Sequence, residues 1–198
     1  MSKSTSILIL TALIIITLPV FFITIPLLIS MYNTLIKKRN QVEYAYGGVD
    51  VALQKRGELI PNLVESVKKY MSHEEGVLKE IVALRNQIGS SDPQSKERFE
   101  LENKMSSMLG DIIVAVENYP ELKSNENVLH LQRTLNESEE QISASRRSYN
   151  AAVNSMNNSV QAFPSSLMAS AGDFEQSTYF QADEAVKKTP DMKSLFNS

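Results

Sequence analysis

Two histidines, no cysteine and no tryptophan leave this 198-residue chain few groups that could do chemistry. His73 stands in the run His73-Glu74-Glu75, whose residue types can ligate metals. Adjacent residues on a helix point different ways, so the run does not converge on a cation. Glu75 also has another task, reaching back to Ser72 in a helix-capping box. His130 falls beside an apolar stripe and is expected as a packed or exposed polar residue, while Tyr149 lies on that stripe and is expected in the core. Asn33, Asn40, Asn62 and Asn150 suit hydrogen bonds between helices better than a ligand. The chain has no G-x-x-x-x-G-K-[ST] loop and no H-E-x-x-H helix, and no nucleophile–base pair can be assembled from it. Without cysteine there is no disulfide, thiolate metal site or lipid-modified N-terminal Cys. A net charge of -3 gives no electrostatic footprint for nucleic acid. No catalytic residue, metal or cofactor is expected, and the chain is not expected to be an enzyme.

The elements that would position these residues are helices. A first runs from about Tyr32 to Met71, with Val42, Tyr46, Val49, Leu53, Ile60, Leu63, Val67 and Tyr70 spaced as the seam of a helix packed on another helix. A second starts at the Ser72 capping box, carries Val77, Ile81, Leu84 and Ile88, and stops near Gly89. A third begins at Asp92-Pro93, read as an N-cap followed by a first-turn proline. It is expected to bury Leu101, Met105, Met108, Ile112 and Ala115 and to end before Pro120. The fourth spans about Asn125 to Ala162. There Val128, Leu135, Ile142, Tyr149, Met156 and Phe163 recur at heptad spacing beside a stripe of smaller residues, Leu131, Ser138, Ser145, Ala152 and Ser159. Short connections favour antiparallel neighbours. The expected class is all-α: an elongated up-down bundle with long first and last helices, although the Ser- and Ala-rich seam also suits an oligomeric coiled coil.

Ahead of the bundle, Ser4 to Ile36 carries no charge, and Ile7 to Met31 is almost wholly apolar. About 20 such residues span a hydrocarbon core, and the run is longer than the apolar part of a signal peptide and lacks an A-x-A site. It is expected to be a transmembrane helix continuing into the bundle, with Pro19 and Pro26 on one face. Lys37, Lys38 and Arg39 follow it, against Lys3 and the free amine before it. By the positive-inside rule the large part leans to the cytoplasm. The resulting division is a short tail at 1–6, the anchor at 7–31, the bundle at 32–171 and a C-terminal tail at 172–198, docked through Tyr179 and Phe180. Leu167 and Met168 are expected at the membrane interface or at the base of the bundle.

Two features of the first helix demand partners. Arg56 occupies a seam position, where an unpaired charge would cost several kcal/mol. Laying the first and fourth helices antiparallel puts it opposite Glu139 and Glu140, and puts Asp50 opposite Arg146 and Arg147; Arg56 is expected to pair with a carboxylate there, and Asp50 with one of the arginines. Pro61 cannot donate a backbone hydrogen bond and crowds the carbonyl of Gly57, at about 3 kcal/mol in a helix interior. The seam keeps register through Ile60 and Leu63, so a kinked but continuous helix is expected.

The string YNTLIKKRNQVEYAYGGVDVALQKRGELIPNLVESVKKYMSHE resembles the opening signature of the LemA family of bacterial membrane-anchored proteins, at Tyr32-Asn33, Arg39-Asn40, Val42, Asp50, Leu53, Arg56, Leu59 to Val64 and Val67. A second block is similar to the family at Tyr119 to Leu122, Leu129, Leu131-Gln132, Glu139, Ile142, Arg146-Arg147, Tyr149-Asn150, Val153 and Phe163-Pro164. A third is similar around Tyr179-Phe180 and Ala182. Tyr46 and Gly47-Gly48 depart from the usual Trp and polar residues, which is expected to loosen the first helix locally. The resemblance implies one N-terminal span, an all-helical domain and placement in a bacterial cell membrane. It gives no reaction, and it implies an accessory or adaptor role beside membrane proteases or other envelope proteins. The expectation is therefore a membrane-anchored interaction module held by the bilayer and an unidentified protein partner, with a self-assembling homo-oligomeric scaffold as the alternative.

Overall fold

In a computed structural model of the chain, the described residues are 3–71 and 74–181, with side chains described at 11, 15 and from 21 onward. They form six helices: α1 Lys3–Val67, α2 Glu75–Ser90, α3 Lys96–Val116, α4 Pro120–Lys123, α5 Glu126–Gln161 and α6 Ser165–Ala171. Among the described residues there is no strand, and the fold is all-helical. The chain divides into two compact units. One joins the residues up to Glu43 with Ala152–Ser177; the other joins Tyr44–Ala151 with the chain from Thr178.

In the second unit, Ile60, Leu63, Val67 and Met71 meet Leu78, Ile81 and Leu84 of α2, Met105 to Val116 of α3, and Val128 and Leu135 of α5 in one apolar core. The 3-4 spacing of large apolar residues puts each stripe on one helix face, and burying those faces is what holds the helices. Helix α1 continues through Gly47-Gly48 and Pro61, so the departures from the family pattern at 46–48 do not interrupt it.

The helix starts differ from those expected of the sequence. Helix α2 begins at Glu75 with Glu74 as N-cap and no side-chain cap bond; Glu75 is therefore a first-turn residue. The proposed partner Ser72, like His73, lies outside the described residues. Helix α3 is capped not by Asp92 but by Ser95, whose Oγ accepts from the Arg98 amide at 3.1 Å. Gln94, in the left-handed region at φ 62°, donates its amide to the Tyr46 hydroxyl at 3.1 Å. That tertiary bond holds residues 92–94 as a turn. Helix α5 starts after Asn125, whose Oδ1 accepts from the amides of Asn127 and Val128. The short helices α4 and α6 have no counterpart among the expected elements.

In the first unit, Leu35, Val153, Met156, Ala169 and Phe174 are buried. Lys38 donates to the Ser155 carbonyl at 3.1 Å and to Ser159 Oγ at 2.5 Å. Gly172 closes α6, its amide donating to the Met168 carbonyl at 3.0 Å. A Cβ there would stand 2.8 Å from the Phe174 ring and 3.0 Å from the Tyr32 ring, so only glycine fits this approach.

Candidate functional site

Charge is concentrated inside the second unit. Arg56, with 1 % of its surface exposed, is the largest fully buried side chain among the described residues. Its Nη1 donates to Glu139 Oε1 at 2.7 Å and to Ser106 Oγ at 2.6 Å. Its Nη2 donates to Glu102 Oε2. Ser106 in turn donates to the second oxygen of Glu139 at 3.0 Å. Arg98 binds Asp50 at 2.9 Å and lies 3.9 Å from Glu102. Burial raises the Glu102 carboxyl above its ordinary value, opposed by Arg56, Arg98 and Arg146. Burial is also the main reason Arg146 is lowered to about 10, with the Arg56 charge adding to it. Arg56 and Arg98 thus meet Asp50, Glu102 and Glu139 in one network, with the Arg146 charge felt from beside it, and the buried charge of Arg56 is tolerable because it is matched.

Arg56 and Glu139, expected to meet, are in contact, with Glu102 as a second carboxylate that sequence reasoning missed. Asp50, expected on Arg146 or Arg147, is instead paired with Arg98 of α3. Arg146 donates to Asn103 Oδ1 at 2.9 Å and lies 4.2 Å over the Phe180 ring. Arg147 faces outward and donates to Ser143 on its own helix. The physical reason is that α3 comes between: its Arg98 and Asn103 reach Asp50 and Arg146 first. The missed carboxylate had a signal. Phe99, Glu102, Met105, Leu109, Ile112 and Val116 of α3 are buried, whereas Leu101 and Ala115 are only partly so. The stripe passes through Glu102, and a seam glutamate on α3 is the natural complement of a seam arginine on α1.

Pro61 leaves the Gly57 carbonyl without its helical donor, and Arg85 of α2 donates Nε to that oxygen at 2.9 Å. Beside it, an open groove of about 550 Å³ is lined by Asp50, Gln54, Arg85, Asn86, Arg98 and Glu102, among others. It presents both signs of charge and no nucleophile beside a base.

A second constellation holds the tail. Tyr149 Oη donates to the Thr178 carbonyl at 2.9 Å, which keeps this buried phenol paired; burial pushes its pKa up to about 12. Asn150 donates to the Phe180 carbonyl at 2.8 Å and accepts its amide at 2.9 Å. Asn103 donates to the Gln181 carbonyl at 2.9 Å. The Phe180 ring stacks on Phe99 at 3.8 Å and meets Tyr149 edge-on at 6.4 Å. Asn150 was expected between helices; it binds extended backbone instead, because one amide can donate and accept at once. In the first unit Asn157 does the same with Ser177, at 3.0 and 2.8 Å. Asn33, Asn40 and Asn62 are exposed, as is His130, whose ring meets Thr134 Oγ. Among the described residues no group of three or more His, Asp or Glu could hold a metal ion. The tail beyond Gln181 lies outside the described residues.

Of the residues expected at a membrane interface, Lys37 is exposed, Lys38 is engaged by α5 and Arg39 lies 5.4 Å over the Phe174 ring. Leu167 is 64 % exposed and Met168 partly buried. Phe163, placed by periodicity in the buried stripe, is 81 % exposed; α5 stops at Gln161, so the heptad no longer sets its direction. Phe21, Phe22, Ile23 and Leu27 to Ile29 are also exposed on α1. Among the described residues no helix is long and apolar enough to cross a membrane; most side chains of the apolar run before Phe21 lie outside those described.

The family model for the LemA family matches residues 45–193. Protein LemA of Metamycoplasma hominis is 25 % identical over 181 residues, covering 89 % of this chain and 83 % of the relative. Two proteins of Paramagnetospirillum magneticum, Magnetosome protein MamQ 1 and Magnetosome protein MamQ 2, are each 24 % identical over 183 residues, covering 80 % of this chain and 67 % of the relative.

Proposed function

The chain belongs to the LemA family, and on that premise we propose that it is a single-pass, membrane-anchored helical interaction module, an accessory or adaptor to other envelope proteins that performs no reaction itself. The observation that carries this reading is the α1 segment at Phe21–Ile29: large apolar side chains stand exposed there, within an uncharged stretch running from Ser4 to Ile36. Exposed apolar surface of that extent is stable only against lipid or another protein, and the full Ile7–Met31 run is long enough to span a bilayer. Among the described residues, several groups that could otherwise react are committed to structure. Glu102 and Glu139 are tied to Arg56, and the Tyr149 hydroxyl is bound to the Thr178 carbonyl. A substrate turnover lost on Tyr149→Phe with the melting temperature unchanged would contradict the non-catalytic part.

Lys37, Lys38 and Arg39 lean the larger part toward the cytoplasm of a bacterial cell. Since the chain has no cysteine, a single Cys at exposed Glu137 reports its side with a membrane-impermeant thiol reagent. Protection in intact cells is expected, and labelling from outside would reverse the orientation. The partner is proposed to be a membrane protease or other envelope protein, to be identified by crosslinking in native membranes. A homo-oligomeric scaffold is the second reading. Tyr44 and Val51, 86 % and 65 % exposed on α1, favour it as a face for another copy. Light scattering in mild detergent separates a monomeric adaptor from that assembly.

A further inference from the structure

We propose that the corner between α5 and α6 is a second membrane contact: the exposed side chains of Phe163 and Leu167 enter the interfacial layer of the bilayer that the proposed anchor crosses. The proposal rests on the anchored reading and adds a surface to it. Its first support is chemical. Ser148 to Gly172 contains no charged residue, so this corner can approach acyl chains without stripping water from an ion. Phe163 and Leu167 are its large exposed apolar groups, at 81 % and 64 %, and an exposed phenylalanine and leucine gain most when taken out of water.

The second support is position. Gly172, the cap of α6, packs so closely against Tyr32 that a Cβ would come within 3.0 Å of its ring, and Tyr32 meets Phe174 edge-on at 5.6 Å. Tyr32 directly follows the apolar run Ile7–Met31. Helix α6 is thereby tied to the residue at which the proposed span ends, the depth where aromatic side chains favour the headgroup boundary. The third support is that the corner pairs part of its own backbone. The Ala162 carbonyl accepts from the Ser166 amide at 2.8 Å and from Ser165 Oγ at 2.9 Å, and the Pro164 carbonyl accepts from the Leu167 amide at 3.2 Å. Each group paired in this way is one fewer to resist a drier setting.

The chain has no tryptophan, so one substitution supplies a unique fluorophore. Full-length Phe163→Trp, Leu167→Trp, Phe22→Trp and Val114→Trp copies are reconstituted in phosphatidylcholine–phosphatidylglycerol vesicles whose acyl chains carry bromine. Phe22 reports the anchor, and Val114, 66 % exposed on α3, is the comparison for an exposed apolar position outside the proposed contact. Blue-shifted emission and strong quenching at 22, 163 and 167, with little at 114, is the expected result. Quenching at 22, with 163 and 167 both quenched no more than 114, overturns the corner contact and leaves the anchor standing. No quenching at 22 overturns both. Position 163 lies outside any helix, so its reading remains valid even where Leu167→Trp disturbs α6.

Discussion

Arg85 completes the hydrogen bonding that Pro61 interrupts. The Gly57 carbonyl, four residues before the proline, receives the Arg85 Nε at 2.9 Å, so the proline sits inside α1 without orphaning an acceptor. Arg85→Ala is expected to cost about 1 kcal/mol. Pro61→Ala is expected to stabilise the chain by up to about 3 kcal/mol, and it also gives Gly57 a donor of its own helix. In the Pro61→Ala background the Arg85→Ala cost should therefore shrink toward zero. Urea unfolding of the four species reads this coupling, and strictly additive losses would show that the guanidinium bond is idle.

Arg56 has two carboxylates, which sharpens what charge substitutions should do. Arg56→Met leaves Glu139 without its cation and Glu102 with only the more distant Arg98 at 3.9 Å, and should cost about 3–5 kcal/mol. Glu139→Gln should cost less, about 1–2 kcal/mol, since that side chain is 33 % exposed and keeps its Ser106 partner. Combining Arg56→Glu with Glu139→Arg should not restore stability, because Glu102 would then face the new glutamate. Thermal unfolding of the double variant is the check, and full rescue would mean that Glu102 does not share the site.

Tyr149 makes stability sensitive to alkali. Its phenol is pushed from 10 to about 12, mainly by burial and then by Tyr46. A group that ionises later in the folded state than in the unfolded one contributes stability that is intact below pH 10. That contribution is lost as pH climbs toward 12, because only the unfolded chain gives up the proton. Between those values stability should fall more steeply for the parent chain than for Tyr149→Phe. The difference spectrum near 295 nm should place the missing phenol at the high end of the titration.

The tail from Thr178 to Gln181 should respond separately to loss of its anchor and of its backbone clamp. Phe180→Ala removes a ring that is 4 % exposed and is expected to cost about 3 kcal/mol of docking. Asn150→Ala removes two hydrogen bonds and should cost about 1–3 kcal/mol. Amide exchange at Phe180 reads both. In Asn150→Asp the Phe180 carbonyl would meet an acceptor instead of a donor, so that near-isosteric change should be at least as damaging as alanine.

The long helices were legible because large apolar residues recur at 3-4 spacing from Val42 to Val67 and from Val128 to Met156, and burying one face enforces that rhythm. Met105, Met108 and Ile112 of α3 are legible as core and are buried; Glu102 is not, because a carboxylate on a stripe resembles an interruption, and Leu101 and Ala115 lie at the edge of the buried face rather than on it. Asp92-Pro93 has the residue types of a helix start, but the Tyr46 hydroxyl claims the Gln94 amide and moves the cap to Ser95. The tail's hold was the least legible part. Phe180 could be picked out as an anchor, but the amide clamps of Asn150 and Asn157 act on main chain and leave no periodic trace.

Arg146 gives the docked tail a particular character. Its guanidinium lies under Phe180 with Nε and Nη2 buried and lacking hydrogen-bond partners among the described residues. When the ring lifts, water regains those two nitrogens, and the regained hydration offsets part of what the lost stacking removes. The latch is therefore thirstier closed than open, and lifting it should cost less than the area under the ring alone would suggest.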